Sequence, residues 1–347
     1  MENQEVSESK PLSYEASKAV LKSLSLETRE DINRQIPKLR TMNSRLPYIL
    51  EDVVIADDTF QTNGRQWTIT PALVRNSDNP LEEVVDPEKS EVVIRQYNSH
   101  KSEQYRVDKS QKEVYKQLFD EYIRNGTIVR GELFLRGIPE FMKEKRENER
   151  ELKIKVANLK LDKQAAADCD QFIRFIDLDV LENVKFIALE NSLALLDKPE
   201  IKTCKNLIVY FIVGRPTNFS IDQFLRLRNQ HLKLDDDSFT LHELQLYVQD
   251  WITTGRKIGT RFTWGPCQSE DVLPMKHLKT HFGADEAGSH LENYFSDKTI
   301  HGTSLTLKMG EDRELVMYCG KDNERTLYSF EMEVVAITTD IVPTPDV

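Results

Sequence analysis

Short strand-like segments recur roughly every 20 to 30 residues through the second half of the chain, and this spacing constrains the fold more than any other feature. They are rich in leucine, aromatic and β-branched residues, alternate with helical segments, and lie at 152–161, 184–189, 207–213, 232–234 and 261–264. Strand and helix pairs at this spacing predict an irregular leucine-rich-repeat-like stack, in which each pair buries its apolar face against the next. Because the segments share no clean consensus, an ordinary α/β sheet with parallel strands is the alternative.

The end of the chain has a different pattern. After Pro274, a helix is predicted over 275–282, and three alternating segments follow at 304–308, 314–318 and 328–336. Gly310 and residues 320–323 separate these segments, as expected of antiparallel hairpins. We therefore predict one α/β domain over 150–338, capped by C-terminal hairpins, and a loose tail over 339–347.

The N-terminal region is helical by its apolar spacing. Residues 1–10 are polar and predict a disordered tail. From Pro11, apolar residues recur three and four positions apart behind Ser13, a candidate N-cap, and a second helix follows with a capping pattern at Thr28 and Asp31. The prediction is a compact helical module over 11–45.

Residues 50–142 predict a small antiparallel sheet with one helix. Short β-branched or aromatic runs are interrupted by turn signals at Asn63-Gly64, Asn79-Pro80 and Asp86-Pro87. Apolar residues at helical spacing over 110–124 supply the helix. The highly charged segment 143–151 is predicted to be a solvated helix or a linker. The whole chain is thus expected to be of the α+β or α/β class.

Charge and targeting signals limit the partners. Acidic residues outnumber basic ones by 58 to 47, a net charge of −11, so neither nucleic acid nor an anionic membrane is an expected partner. No secretory signal and no run of 18 apolar residues is present, which predicts a cytoplasmic or nuclear location or both. The four cysteines are too far apart in sequence for a compact metal motif and are predicted to be reduced.

No reaction chemistry is evident, and we predict no enzyme activity, no cofactor and no metal. The chain has no Gly-x-Ser-x-Gly elbow, and the turn from Gly255 to Thr260 lacks the residue order of a P-loop, so it is interpreted as the end of a helix. The histidines of the late polar region match no zinc motif and are interpreted as solvated; they are His277, His281, His290 and His301.

Two segments resemble a known family. Pro11, Leu12, Val20, Leu21, Leu24 and Ile32 lie in a segment that resembles the opening helical module of a nematode-expanded family of F-box-like proteins. The segment Trp251-Ile252-x-x-Gly255-Arg256-x-Ile258-Gly259-Thr260-x-Phe262 resembles the F-box-associated region of the same uncharacterised family, and 331–338 is similar to its C-terminus.

The resemblance implies a substrate-recognition subunit of a Skp-cullin-F-box type ubiquitin ligase. The six apolar residues of the first segment would bind a Skp-type adaptor, and the C-terminal domain would bind an unidentified protein target. Trp251, Gly255, Arg256, Ile258, Gly259 and Phe262 are expected to be structural. An ordinary F-box has a Leu-Pro pair where this chain has Pro11-Leu12, so the alternative is an interaction protein with a degenerate F-box that packs internally.

Overall fold

The computed structural model describes residues 12–75, 83–97, 101–143, 152–211, 214, 216–236, 239–267, 273–286, 298–322 and 328–337. The chain divides into two compact units. The N-terminal unit comprises Met1–Leu159 and Asp170–Leu181, and the C-terminal unit comprises Lys160–Cys169 and Glu182–Val347. The predicted tails at 1–10 and 339–347, Pro11 and nearly all of the 143–151 segment lie outside the described residues. The helical module and the β-rich region, predicted as separate parts, belong to one unit.

The N-terminal unit begins with helices α1 (Tyr14–Ser23), α2 (Leu26–Gln35) and α3 (Arg40–Asn43), with a 3-10 turn at Pro37–Leu39. Ser13 caps α1 as predicted, because its hydroxyl accepts a hydrogen bond from the Ala16 N–H at 3.2 Å. Helix α2 starts earlier than its predicted cap: the hydroxyl of Ser25 accepts from the Thr28 N–H, so Thr28 lies inside the first turn.

Seven described strands lie wholly in this unit: β1 (Ile49–Leu50), β2 (Val53–Ile55), β3 (Thr59–Thr62), β4 (Arg65–Arg75), β5 (Glu83–Gln96), β6 (Lys101–Val107) and β7 (Ile128–Leu135). Strand β8 (Lys155–Leu161) begins in this unit, and its last two residues belong to the C-terminal unit. Strands β2 to β6 form an antiparallel meander, as predicted. Asn63 and Gly64 adopt positive φ in the tight turn between β3 and β4. Strand β7 departs from the prediction because it runs parallel to β1 and β2.

The predicted helix of the β-rich region is α4 (Gln111–Tyr122), and it supplies the crossover that a parallel β7 requires. Helices α5 (Glu140–Lys143) and α7 (Cys169–Ile173) complete the unit, and α6 (Lys163–Ala167) belongs to the C-terminal unit. Aromatic side chains of α4 fill the core: the ring of Tyr122 lies 5.0 Å from Trp67 and 5.7 Å from Phe60, centroid to centroid. Aromatic packing therefore holds α4 against β3 and β4.

Four parallel strands form the centre of the C-terminal unit: β9 (Asn183–Ile187), β10 (Asn206–Tyr210), β11 (His231–Asp235) and β12 (Arg261–Cys267). A 3-10 turn at Leu193–Asp197 and helices α8 (Pro199–Thr203), α9 (Ile221–Leu225) and α10 (Leu241–Thr254) connect them. The register aligns Val184, Leu207, Leu232 and Phe262 in one buried row. The mixed α/β class is as predicted. Parallel strands that follow one another along the chain are expected both of the leucine-rich-repeat-like stack and of the ordinary α/β sheet, so they do not distinguish these two predictions.

Helix α11 (Leu273–Phe282) and four antiparallel strands close the C-terminal unit: β13 (Asp285–Glu286), β14 (Lys298–Lys308), β15 (Arg313–Asp322) and β16 (Tyr328–Ala336). Strand β16 pairs with β12, so these hairpins continue the sheet at the end of the parallel strands. The last three strands were predicted, and β13 was not.

Candidate functional site

The predicted adaptor-binding residues divide between the surface and the interior of the helical module, residues 12–45. Leu12 and Val20 are exposed, with 64% and 44% of their surface accessible. Leu24 and Ile32 are half-buried. Leu21 is only 2% exposed, so its assignment to a docking face is corrected: a ten-residue helix depends on an apolar face buried within the fold, and Leu21 lies on that face.

Two exposed apolar side chains of the module lie outside the set predicted to bind an adaptor. Tyr14 lies in the first turn of α1, and Ile36 follows the last residue of α2. With Leu12 and Val20 they define the exposed apolar set of the module. Ile36 follows Ile32 at a helical spacing of four residues, and Tyr14 directly follows the Ser13 cap.

The most buried charge of the module is Arg29 of α2. Its Nε donates to Asn43 Oδ1 at 2.7 Å, and its terminal nitrogens donate to the carbonyl oxygens of Asn43, Leu46 and Pro47 at 2.7 to 3.3 Å. The guanidinium carbon lies 4.1 Å from the centre of the Tyr48 ring. Burial lowers the pKa of Arg29 to about 10, which leaves the side chain charged at pH 7. Arg29 thus fixes the loop that joins the module to β1.

A second set of contacts attaches α2 to the sheet and to α4. Arg65 of β4 forms a 3.0 Å ion pair with Glu30, and the Tyr122 hydroxyl donates to the same carboxylate at 2.8 Å. Arg124 donates to the Asn43 carbonyl at 2.6 Å and lies 4.5 Å from the Tyr48 ring. The module therefore shares polar contacts with the rest of its unit.

The second resembling segment, 251–262, forms the end of α10 and the start of β12. Trp251 is buried, and Gly255 ends the helix in the left-handed conformation, with its N–H donating to the Trp251 carbonyl at 3.1 Å. Gly259 also has positive φ, and its N–H donates to the Val334 carbonyl at 2.8 Å. Phe262 is buried with its ring 4.6 Å from that of Tyr247.

Arg256 and Ile258 of this segment have opposite environments. Arg256 is buried and donates to the Leu227 carbonyl at 2.6 Å and to Asp250 at 2.8 Å. Ile258 is about half exposed. Five of the six motif residues thus occupy turn or packing positions, and Ile258 is on the surface.

A buried carboxylate lies on β16 of the C-terminal unit. Glu331 accepts hydrogen bonds from the hydroxyls of Thr263 and Ser329, both at 2.7 Å, and lies 3.4 Å from Arg261 Nε. Because Thr263 donates its only proton to Glu331, the 2.9 Å contact with His231 requires that His231 Nε2 carry a proton and donate to Thr263. This network satisfies a buried charge. No sequence motif indicates this network, because its residues come from three different strands.

Two of the late histidines, His277 and His281, are hydrogen-bonded to α10. His277 Nε2 contacts Gln245 Oε1 at 3.3 Å and His281 Nε2 contacts Gln245 Nε2 at 2.7 Å, which makes His277 the donor and His281 the acceptor. The side chains of His290 and His301 lie outside the described residues. Within the described ranges, no three His, Cys, Asp or Glu side chains come close enough to hold a metal ion. Among these same residues, every helix is too short or too polar to span a lipid bilayer.

Comparison with known proteins gives one match. Residues 111–268 match the model of a family described only as a domain of unknown function, DUF3557. The matched range is less than half of the chain, begins at α4 and ends just after β12. It includes the 251–262 segment and excludes the helical module. No curated protein and no solved structure gives a significant match. From α4 to the end of β12, the chain is therefore similar to a domain to which no function has been assigned.

Proposed function

We propose that the chain is a non-catalytic substrate receptor of a Skp-cullin-F-box type ubiquitin ligase, acting in the cytoplasm or nucleus. The helical module binds a Skp-type adaptor, and the C-terminal unit binds a protein target. The observation that carries the proposal is the exposed apolar set: Tyr14 and Val20 lie on α1, Leu12 just precedes that helix, and Ile36 directly follows α2, the helix that the buried Arg29 anchors. Apolar side chains on fixed helices are suited to docking in a partner's groove at low ordering cost.

Charge supports a specific kind of partner. Residues 12–45 contain seven basic and four acidic residues, in a chain whose net charge is −11. The module is therefore basic, whereas the chain as a whole is acidic. An apolar groove with a negatively charged rim would complement it, and such complementarity favours fast association with the correct partner.

The protein target binds the half-buried face of the parallel strands in the C-terminal unit. Residues that alternate with the buried row, including Asn206, Ile208 and Tyr210 of β10, are half-buried. Side chains that project from a regular set of parallel strands provide a broad surface for protein recognition, as in other solenoid-like folds.

The test is co-purification with a purified Skp-type adaptor. The double variant Leu12→Asp/Val20→Asp should lose binding, because two carboxylates would have to be desolvated without partners. Both positions are exposed, so the melting temperature should stay near that of the parent protein. Leu246→Asp, an exposed leucine of α10, is the matched control and should bind normally. Normal binding by the double variant would refute the docking surface.

The degenerate-module alternative is favoured by a different observation, the burial of Leu21 and Arg29 inside the N-terminal unit. In this case the parent protein does not bind the adaptor at micromolar concentrations, and Leu21→Asp unfolds the unit. The protein would then act as an interaction module whose helices serve only its own core.

A further inference from the structure

A pocket of about 350 Å³ opens in the C-terminal unit where α10 ends. Its walls include Arg228, Asn229, Arg256, Lys257 and Thr260. Three of these side chains are cationic, and none of the described lining residues is acidic. The volume is at the lower end of the range for small-molecule sites, which is enough for one compact charged group.

The two arginines converge on the same backbone atoms. Arg228 and Arg256 each donate to the Leu227 carbonyl, at 2.8 and 2.6 Å, and each donates to the Leu225 carbonyl, at 2.6 and 3.3 Å. Sharing both acceptors holds two like charges side by side. Asp250 pairs with Arg256 at 2.8 Å, and Lys257 adds a third positive charge to the pocket wall. The pocket is thus locally positive on an acidic protein.

Two deeply buried polar atoms at this pocket make no hydrogen bond with any described residue. Arg256, which is 7% exposed, has an unpaired Nε donor, and Asn229, which is 4% exposed, has an unpaired Oδ1 acceptor. The Asn229 amide nitrogen is already bonded to the carbonyls of Ile201 and Cys204 at 2.8 and 2.7 Å. Orphaned buried groups of this kind are rare and call for a partner. The Arg256 Nε lacks an acceptor, and the Asn229 Oδ1 lacks a donor.

We propose that this pocket binds a phosphate group. A phosphate offers oxygens to several cationic donors at once, and the planar guanidinium fork matches its geometry better than an ammonium does. Arg228 and Lys257, which are both exposed at the pocket, supply donors to its oxygens. The phosphate belongs to a small molecule or to a phosphorylated side chain. The proposal does not depend on adaptor binding, because the pocket lies in the C-terminal unit and the exposed apolar set lies in the N-terminal unit.

The test is isothermal titration of the full-length protein at fixed ionic strength with two probes, inorganic phosphate and a capped pentapeptide Gly-Gly-phosphoserine-Gly-Gly. Its unphosphorylated counterpart is the control peptide. Saturable binding of inorganic phosphate as tight as that of the phosphopeptide supports a small-molecule source. Phosphopeptide binding at least about tenfold tighter, with no binding of the control peptide, supports a phosphorylated side chain.

Variants then locate the site. Lys257→Gln removes an exposed ammonium and should weaken binding of the better probe by about tenfold, the effect of losing one charge-assisted hydrogen bond. Arg228→Gln should have an equal or larger effect. Lys276→Gln, an exposed lysine on α11, is the control and should bind like the parent. Absence of saturable binding by either probe, or equal binding by the parent and the Lys257→Gln and Arg228→Gln variants, would overturn the proposal.

Discussion

Arg29 and Asn43 lie 14 residues apart in sequence and meet inside the N-terminal unit, where Arg29 Nε donates a 2.7 Å hydrogen bond to Asn43 Oδ1. Both side chains are fully buried. The Asn43 amide nitrogen contacts the Tyr48 hydroxyl at 3.3 Å, and the Tyr48 ring stacks under both Arg29 and Arg124. A helical module with only two buried apolar side chains among residues 12–45, Leu21 and Leu26, is thus anchored by a charged residue.

Replacing Arg29 with methionine should reduce the free energy of unfolding by about 3 kcal/mol, because Asn43 Oδ1 and the Pro47 carbonyl lose their charged donor. The Asn43 and Leu46 carbonyls lose one donor each and keep Arg124 as the other. Urea unfolding measures the change. Arg34→Met, on the same helix and exposed, should change stability by no more than about 0.5 kcal/mol. Equal unfolding midpoints for the two variants would contradict the structural role of Arg29.

Arg29 also shows what sequence patterns miss. A charged residue between polar neighbours is ordinarily assigned to the surface, and nothing local distinguishes Arg29 from Arg34. Its burial depends on carbonyls of a loop 14 to 18 residues away. The Ser13 cap, by contrast, acts within three residues of its partner, which is why the sequence predicts it correctly.

The strands and the pocket show the same difference between features set by local sequence and features set by contacts between distant residues. Alternating apolar residues predict β9 to β12, because the period of two reports burial of one face. They do not predict that β7 runs parallel to β2, since strand direction depends on the α4 crossover and not on local composition. Arg228 and Arg256 come together because both side chains donate hydrogen bonds to the Leu225 and Leu227 carbonyls. No spacing rule links arginines that are so distant in sequence.

Trp251→Ala tests the packing at the end of α10. The side chain is 1% exposed, and its ring lies 5.8 Å from that of Tyr247. Its removal leaves a large cavity, and the free energy of unfolding should fall by about 3 to 5 kcal/mol. Leu246→Ala, at an exposed position of the same helix, should cost far less. A Trp251→Ala variant that melts within a degree or two of the parent would show that the tryptophan is not core.

Thr263→Val tests the buried carboxylate network. The substitution keeps the side-chain shape but removes the hydroxyl that donates to Glu331 and contacts His231. Stability should fall by about 1 to 3 kcal/mol, because a buried charged acceptor loses a hydrogen bond. Thermal and urea unfolding provide the measurement. Thr253→Val, an exposed helical threonine that bonds only to Gln249 among the contacts described, is the control and should be close to neutral.

Alkaline pH should destabilise the protein through Cys204. Burial raises the pKa of its thiol from an ordinary value near 9 to about 12, and the hydrogen bond from Asn229 only partly opposes this. Between pH 9 and 12 the unfolded chain has lost this proton and the folded chain retains it, so the free energy of unfolding falls as the pH rises. The stabilising contribution of Cys204 is complete below pH 9 and lost as the pH approaches 12.

The slope of the free energy of unfolding against pH separates the contribution of Cys204 from that of the other titrating groups. Over pH 9 to 10, stability of the parent should fall more steeply than that of Cys204→Ala, by up to about 1.4 kcal/mol per pH unit, since tyrosine ionisation contributes equally to both slopes. Urea unfolding at half-unit intervals measures both slopes, and a constant offset from the lost side chain cancels in the comparison. Because the thiolate is the nucleophile, native Cys204 should also resist iodoacetamide at pH 8, where the urea-unfolded chain reacts. Parallel slopes for the two proteins would mean that the Cys204 thiol titrates equally in the folded and unfolded states, contrary to its burial among Ile201, Asn206 and Asn229.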